Sequence, residues 1–117
     1  MEIYREFRFD AAHSLNELPD AHKCSGVHGH TFTVRVHLEG PVDPVTGWVR
    51  DFGEIKRTCE PWVNMLDHCY LNDVKDLGHP TSENIAVWLW DRIKAELPEL
   101  SMIEVMETPG SGCRYRG

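Results

Sequence analysis

The sequence predicts an α+β domain in which an antiparallel β-sheet carries two helices on one face. Two long stretches before residue 40 alternate apolar and polar side chains, and this alternation returns after residue 99. Between them, apolar residues recur twice at the three- and four-residue spacing of a helix. Period two is typical of a half-buried strand and period 3.6 of an amphipathic helix, so helices packed on one face of a sheet explain both patterns.

The N-terminal part of the chain contains the first three predicted strands. Residues 3–13 and 28–38 alternate most regularly, and the apolar face of the second stretch consists of His28, His30, Phe32, Val34, Val36 and Leu38. Turn-forming residues between positions 40 and 47 follow, and the short run 48–52 is predicted to return as a third strand.

Two helices are predicted next. Residues 53–66 have an apolar stripe at helical spacing, and Pro61 inside this helix removes one backbone hydrogen bond. Thr81 or Ser82 can cap the second helix. Its apolar stripe consists of Ile85, Trp88, Leu89 and Ile93.

The last two predicted strands cover residues 99–108 and 113–116, and a Pro-Gly-Ser-Gly turn joins them. The predicted order is therefore three strands, two helices and two strands. No repeat or linker interrupts the sequence, so a single domain over residues 1–117 is expected.

Composition and charge exclude several classes of function. The 117 residues are 41% hydrophobic and 26% charged, which is usual for a globular domain. The net charge of −7 argues against nucleic acid or an anionic membrane as a partner, because both need a basic surface. A signal peptide and an apolar membrane span are both missing from the sequence, so a cytoplasmic protein is expected. There, the four cysteines are thiols or metal ligands rather than disulfides.

His13, His28 and His30 are the candidate metal ligands. Residues two apart in a strand point the same way, so His28 and His30 stand side by side on an apolar face. His13 ends the apolar face of the preceding strand, and antiparallel pairing would bring it to the same place. Three converging histidines match a catalytic Zn²⁺ site with its fourth position open. A surface turn, or core histidines bonded to the backbone, is the alternative. Three other histidines lie out of phase and are expected at the surface: His22, His37 and His79.

Cys24, Asp67 and His68 are candidates for acid–base chemistry. Cys24 lies four residues before His28, where a cation would favour its reactive thiolate, although it could also be a fourth zinc ligand. Asp67 precedes His68 directly, and an aspartate can fix the tautomer of a histidine that titrates near neutral pH. A helix C-terminus with a favourable histidine is the simpler explanation of this pair.

Glu107 shares a predicted strand face with Ile103 and Val105. A carboxylate there needs a partner to offset its loss of hydration. A ligand with a flat array of N–H donors, such as the edge of a pterin or guanine, would provide that partner. The alternative is that the strand frays at this point and that Glu107 faces solvent.

Five segments of the chain resemble the 6-pyruvoyl-tetrahydropterin synthase family in order and over nearly the whole length: FDAAH, CSGVHGH, LDHCYLND, PTSENIA and METPGSGCRYRG. Three residues between the cysteine and HGH are typical of its bacterial 6-carboxy-tetrahydropterin synthase branch, whereas the tetrahydrobiopterin-pathway enzymes have a longer gap. A third branch has glutamate in place of the cysteine, and Cys24 argues against it.

The resemblance assigns roles to individual residues. It implies that zinc is bound by His13, His28 and His30. It implies catalytic roles for Cys24, Asp67 and His68. It implies that the pterin is anchored by Glu107 and lies against Thr81 and Ser82.

The resemblance also implies a fold, a reaction and an assembly. The fold is the tunnelling fold (T-fold), whose small sheets join edge to edge, so a homo-oligomer is expected. The substrate is a pterin triphosphate, 7,8-dihydroneopterin triphosphate, and the products are 6-carboxy-5,6,7,8-tetrahydropterin, acetaldehyde and triphosphate, on the route to queuosine. Two alternatives stay open: synthesis of 6-pyruvoyl-tetrahydropterin, and a non-catalytic zinc module in which Cys24 joins the three histidines.

Overall fold

One five-stranded sheet and two α-helices make up the protein. The computed structural model describes all residues, 1–117. In chain order the elements are β1 (Glu2–His13), β2 (His28–Glu39), α1 (Phe52–Leu66), β3 (Cys69–Tyr70), a short 3-10 helix (Leu71–Asp73), α2 (Ser82–Ile93), β4 (Leu100–Thr108) and β5 (Ser111–Tyr115). The strands lie side by side in the order β3-β1-β2-β4-β5. The predicted α+β class is confirmed.

The core lies between one face of the sheet and the two helices. The alternation in β1 and β2 places Phe9, Phe32 and Val34 on this face, and all three are buried. Ile55 of α1 and Leu89 of α2 cover them from the other side and are fully buried. Burying one such side chain contributes about 1.5–3 kcal/mol, so the two periodicities found in the sequence determine which faces meet. None of the helices combines the length and the hydrophobicity needed to cross a bilayer.

The prediction of a strand over residues 48–52 is wrong. Residues 48–50 form a bend, and Trp48 is half-exposed. Asp51 caps α1 instead, because its carboxylate accepts a hydrogen bond from the backbone N–H of Gly53 at 3.1 Å. A cap of this kind favours helix from the next residue onward and overrides the β-propensity of the preceding Trp-Val pair.

The sheet is mixed rather than wholly antiparallel. The pairs β1–β2, β2–β4 and β4–β5 are antiparallel, as predicted, but the two-residue β3 pairs parallel with β1. Two residues are too few to show a periodicity in the sequence, so β3 was not predicted. Its place at the edge of the sheet sets the position of the segment around Asp67 and His68.

The β4–β5 hairpin contains a bulge at Glu107. Met106 pairs with Gly112 and Thr108 with Ser111, so Glu107 has no opposite residue in the ladder. A bulge of this kind redirects one side chain. Gly112 is needed for the close approach of the two strands, since a Cβ there would lie 2.6 Å from the carbonyl oxygen of Val105.

His37 is buried, and its predicted surface position is wrong. Only 7% of the residue is exposed, although it lies on the sheet face opposite the helices. Its Nδ1 lies 3.1 Å from the Glu2 carboxylate, and its ring lies against that of Tyr4, with centroids 5.4 Å apart. Long side chains from the neighbouring strands therefore cover this position, an effect that the phase of a single strand does not reveal.

Candidate active site

The three candidate histidines converge at one end of the β1–β2 pair. His13 lies directly opposite His28, and Ala11 lies opposite His30, at the end of the antiparallel ladder. Because the three imidazoles project from the same face, their ring centroids are only 4.5 to 5.2 Å apart. The register of two strands is thus sufficient to assemble the cluster.

Glu107 is the fourth member of this cluster. Its Oε1 lies 3.1 Å from the Nε2 atoms of both His13 and His30. One donor atom from each of the four side chains falls within 4.8 Å of all the others. The prediction that Glu107 has a partner other than solvent is therefore consistent with its position, although its proximity to the histidines was not predicted. Strand phase contained a signal for it, because Val105 pairs with Val34 on the face that carries His30.

The backbone fixes the tautomers of two of these histidines. Nδ1 of His13 lies 2.6 Å from the carbonyl oxygen of Pro80, and Nδ1 of His28 lies 2.8 Å from that of Gly26. A carbonyl oxygen can only accept, so each Nδ1 carries a proton and each neutral ring presents the lone pair of Nε2 to the cluster. These two Nε2 atoms are 2.9 Å apart.

This arrangement fits a bound metal ion. Two lone pairs facing each other at 2.9 Å repel, unless a cation or a proton lies between them. Tetrahedral coordination with Zn–N bonds of about 2.0–2.1 Å separates two nitrogens by about 3.3 Å, so a few tenths of an ångström of movement suffices. Burial, the largest influence on His30, lowers its pKa against the opposing charge of Glu107, which favours the neutral, ligating form. Three imidazoles with an open fourth position form a ligand set that is typical of catalytic zinc.

Cys24 lies near this cluster in sequence but not within it. It is half-buried in the loop between β1 and β2, and its sulfur is not among the donor atoms that converge with the histidines. Its backbone is held at both ends, because its carbonyl oxygen accepts from the N–H of Leu15 at 3.0 Å and its N–H donates to Nδ1 of His22 at 3.1 Å. The fourth side chain at the histidines is therefore Glu107 rather than Cys24.

Asp67 and His68 form a close pair at the end of α1. His68 has a φ of 55°, a left-handed conformation that is uncommon outside glycine, and it turns its Nδ1 to 2.9 Å from the Asp67 carboxylate. The other Asp67 oxygen accepts from the backbone N–H of Asp10 at 3.0 Å, and this bond and the one to His68 lower the pKa of Asp67. Its hydrogen bond to Asp67 raises the pKa of His68.

This pair lies apart from the metal cluster of the same chain. Asp10, Asp67 and His68 form a second group of converging donor atoms. Along β1, His13 is buried and Asp10 is exposed, and the alternation of the strand places their side chains on opposite faces of the sheet. Within one chain their donor atoms thus form two separate groups, although His30 and His68 line a common cavity of about 600 Å³.

Thr81 and Ser82 do lie beside the cluster. Thr81 is the N-cap of α2, and both residues line a cavity of about 320 Å³ together with His13 and Glu107. Cys113 of β5 also lines this cavity, which its position in the sequence did not indicate. The cavity joins the beginning of α2 to the metal cluster, and a flat ligand there would reach both threonine and glutamate oxygens.

The chain, then, is a small α+β protein with a cluster of three histidines and a glutamate that could hold a metal ion, beside an open cavity. A family model described as 6-pyruvoyl tetrahydropterin synthase matches residues 2–117. A 6-carboxy-5,6,7,8-tetrahydropterin synthase from Synechocystis is 43% identical over 97% of this chain and 91% of its own. A dihydroneopterin monophosphate aldolase from Pyrococcus furiosus is 41% identical over 82% of this chain and 76% of its own.

A solved structure agrees with this result. The 6-pyruvoyl tetrahydropterin synthase of Caenorhabditis elegans superimposes with a TM-score of 0.91 and 32% identity, covering 100% of this chain and 95% of its own. This chain belongs to the 6-pyruvoyl tetrahydropterin synthase family, and its fold is the T-fold. The resemblance found in the five sequence segments is confirmed.

We predict that His28→Ala and His30→Ala each lose the metal ion, because a site with three imidazoles has no spare nitrogen donor. Affinity should fall by more than the roughly 10- to 100-fold loss that follows changes in outer-shell residues. Elemental analysis of the purified, folded variants measures the metal content per chain that remains. His79→Ala removes an exposed imidazole outside the cluster and serves as the control. Full metal content in both cluster variants would refute the assignment.

We also predict that Asp67→Asn lowers the pKa of His68 towards its ordinary value. The amide keeps an acceptor oxygen but removes the charge that favours the imidazolium. A histidine whose pKa is raised by folding stabilises the fold fully below its ordinary pKa of 6.5, and this contribution is lost as pH rises through the raised value. Asp67, whose pKa is lowered, stabilises the fold fully above its ordinary pKa of 3.8, and this contribution is lost as pH falls through the lowered value. The pair therefore stabilises the fold most between the ordinary pKa of Asp67 and that of His68.

An NMR titration of the His68 ring measures this pKa directly. Asp73→Asn is the matched control, because Asp73 is exposed and is not among the charges that act on His68. An unchanged His68 midpoint in Asp67→Asn would contradict the role of Asp67.

Proposed function

We propose that the protein is a zinc-dependent 6-carboxy-tetrahydropterin synthase. It would convert 7,8-dihydroneopterin triphosphate to 6-carboxy-5,6,7,8-tetrahydropterin, with release of acetaldehyde and triphosphate, on the route to queuosine and other 7-deazapurines. The observation that carries this proposal is the convergence of three imidazoles and Glu107 beside a cavity of about 320 Å³. The identity of 43% to the Synechocystis synthase supports it.

The metal in this proposal is zinc, held by His13, His28 and His30. When bound, zinc supplies a Lewis acid and a template for the side-chain oxygens of the substrate. The protein contributes the direction of the donors, since the carbonyl groups of Pro80 and Gly26 hold two of the three rings. An apolar floor behind the cluster, where Phe32 lies edge-on to both His13 and His30, keeps water away on that side.

Cys24 is the proposed base that removes a proton from the side-chain carbon next to the pterin ring. Cys24 lies in the loop that leads into the ligand His28, and its sulfur is not among the converging donor atoms. A bound cation favours the thiolate of a nearby cysteine, which is the form that can accept a proton. This role distinguishes an enzyme from the alternative zinc module, in which the same sulfur would close the coordination sphere.

Glu107, Thr81 and Ser82 are proposed to hold the pterin. The Glu107 carboxylate can accept from the N–H edge of the ring, and the two hydroxyl residues line the same cavity. Orienting the ring in this way would align the side-chain carbon with Cys24, which is a contribution to the rate through positioning.

Asp67 and His68 are the proposed proton relay, and they suggest how the active site is completed. Because the donor atoms of the pair form a group separate from the metal cluster of their own chain, we place the pair at the metal cluster of another copy of the chain. The strands β3 and β5 are the two edges of the sheet, and an uncovered edge favours pairing with another strand. We therefore propose a homo-oligomer with active sites between subunits, and we place it in the cytoplasm.

The strongest competing function is synthesis of 6-pyruvoyl-tetrahydropterin, the activity named for the Caenorhabditis elegans structure. The same metal site and the same pterin pocket would serve both reactions. The short spacing between Cys24 and His28 favours the 6-carboxy product, and the release of acetaldehyde distinguishes the two.

The central test is incubation of the zinc-loaded protein with 7,8-dihydroneopterin triphosphate, with products identified by mass spectrometry. We predict 6-carboxy-tetrahydropterin and acetaldehyde from the wild type. Cys24→Ala should lose at least about 100-fold in turnover, the lower end of the effect of one acid–base group, while keeping its zinc. Cys69→Ala is the control, because Cys69 is half-buried in β3 and donates to backbone oxygens of α1. Loss of zinc from Cys24→Ala would instead favour the zinc module.

We further predict that Glu107→Gln weakens the binding of a non-reactive pterin by roughly ten- to a hundredfold. The substitution keeps the shape but removes the charge, and charge-assisted hydrogen bonds contribute about 1.5–3 kcal/mol. Calorimetry measures this affinity, with zinc content determined on the same samples. Glu96→Gln, at an exposed position after α2, is the control. Equal pterin affinity in both variants would remove Glu107 from the pterin site.

A further inference from the structure

The segment around β3 contains a side chain that makes, with the backbone after β1, the hydrogen bonds that a longer β3 would have made. The backbone of β3 pairs with β1 only at Ala11 and Ala12, after which the chain turns into the 3-10 helix Leu71–Asp73. Ser14 lies just beyond β1 and is 2% exposed, so its backbone polar groups need partners other than water. Asn72 supplies both: its Oδ1 accepts from the Ser14 N–H at 2.9 Å, and its Nδ2 donates to the Ser14 carbonyl oxygen at 2.8 Å.

A second residue of the same segment holds the Ser14 side chain. The Ser14 hydroxyl donates to Oδ1 of Asn16 at 2.8 Å and lies 2.6 Å from the hydroxyl of Tyr70. Because the Ser14 proton goes to Asn16, the Tyr70 hydroxyl is the donor in the second bond. Ser14 is therefore fixed through its backbone and through its side chain by two residues that lie 56 and 58 positions away.

Ser14 lies between two parts of the proposed active site. It directly follows the metal ligand His13, and the next residue, Leu15, donates its N–H to the carbonyl oxygen of Cys24 at 3.0 Å. A shift of the Ser14 backbone would move His13 on one side and the Cys24 loop on the other. Asn72 therefore holds Ser14, a residue whose own hydrogen bonds come from Asn72, Asn16 and Tyr70 and not from the metal ligands or from Cys24.

We propose that Asn72 is a positioning residue, whose carboxamide clamps the Ser14 backbone and so sets the separation between His13 and Cys24. As a role in turnover this rests on the proposed function. The clamp itself does not, because it acts on the geometry of the metal site and of the loop before any substrate binds. Asn72 touches neither substrate nor metal in this proposal, and it acts through Ser14 alone.

The test compares Asn72→Asp with the matched substitution Asn64→Asp, which lies at an exposed position of α1. Aspartate keeps the acceptor for the Ser14 N–H but places an oxygen against the Ser14 carbonyl oxygen in place of the donor. Loss of one such bond corresponds to about tenfold in an equilibrium constant. We therefore expect zinc affinity, measured by competition with a chelator, to fall about tenfold in folded Asn72→Asp and to stay unchanged in Asn64→Asp.

The second readout is the rate at which iodoacetamide alkylates Cys24 in the metal-free protein, followed by peptide mass spectrometry with Cys113 as the internal reference. Release of the loop should accelerate Cys24 alone. In the turnover assay kcat should fall by a larger factor than KM changes, since Ser14 makes no hydrogen bond to the residues proposed to hold the pterin, Glu107, Thr81 and Ser82. A destabilised but otherwise intact fold would lower the melting temperature and change none of these ratios.

Unchanged zinc affinity and unchanged Cys24 alkylation in folded Asn72→Asp would overturn the proposal, whatever the turnover. If Asn72→Asp does not fold, Tyr70→Phe removes only the hydroxyl that holds the Ser14 side chain, and it should shift both readouts in the same direction by a smaller factor. No shift in Tyr70→Phe would then overturn it. Failure of the proposed function is distinguishable from failure of the clamp. If the wild type formed no product, Asn72→Asp would still change zinc affinity and Cys24 alkylation.

Discussion

The register between β1 and β2 is the constraint on which the rest of the site depends. With His13 opposite His28 and Ala11 opposite His30, three imidazoles share one face at the end of the ladder. A slip of one residue would turn the side chains of one strand to the other face and separate the cluster. The same register places Phe9 and Phe32 together in the core, where their rings stack with centroids 4.9 Å apart. Burial of the core therefore enforces the geometry of the metal site, and no separate device is needed to hold the strands in place.

The parts of the fold outside β1 and β2 orient the histidine cluster that the register of these two strands brings together. The segment before α2 contributes the Pro80 carbonyl group to Nδ1 of His13, and the bulge in β4 brings Glu107 to Nε2 of the same ring. These contacts connect the helical layer and the far side of the sheet to a single buried histidine. The residues proposed for acid–base chemistry lie elsewhere, in a loop that carries Cys24 and at a sheet edge that carries the Asp-His pair. That separation is the physical reason for proposing that the active site is shared between copies of the chain.

Much of this was readable from the sequence, because the strands and helices here are long and regular. Alternation in β1 and β2 predicted that His13, His28 and His30 share a face. Helical spacing located both helices, and the predicted range of α1 differs from the observed one by a single residue. Features that depend on few residues or on neighbouring strands were not readable. The run 48–52 has the composition of a strand, but Asp51 within it caps α1 instead. The two-residue β3 is too short to show a period. His37 is covered by side chains from adjacent strands. For the site, strand phase singled out Glu107, but only the pairing of β4 with β2 places it at the histidines.

In the proposed site, the metal is held by nitrogen donors from the three strand histidines, and the sulfur of Cys24 stays free for chemistry. X-ray absorption spectroscopy at the zinc edge of the loaded protein tests this most directly. We predict three nitrogen scatterers from imidazole at about 2.0–2.1 Å, with the remaining position filled by oxygen, and no sulfur contribution. A sulfur scatterer at about 2.3 Å would contradict it, because a fourth ligand from Cys24 would close the site and leave no thiolate to act as the base.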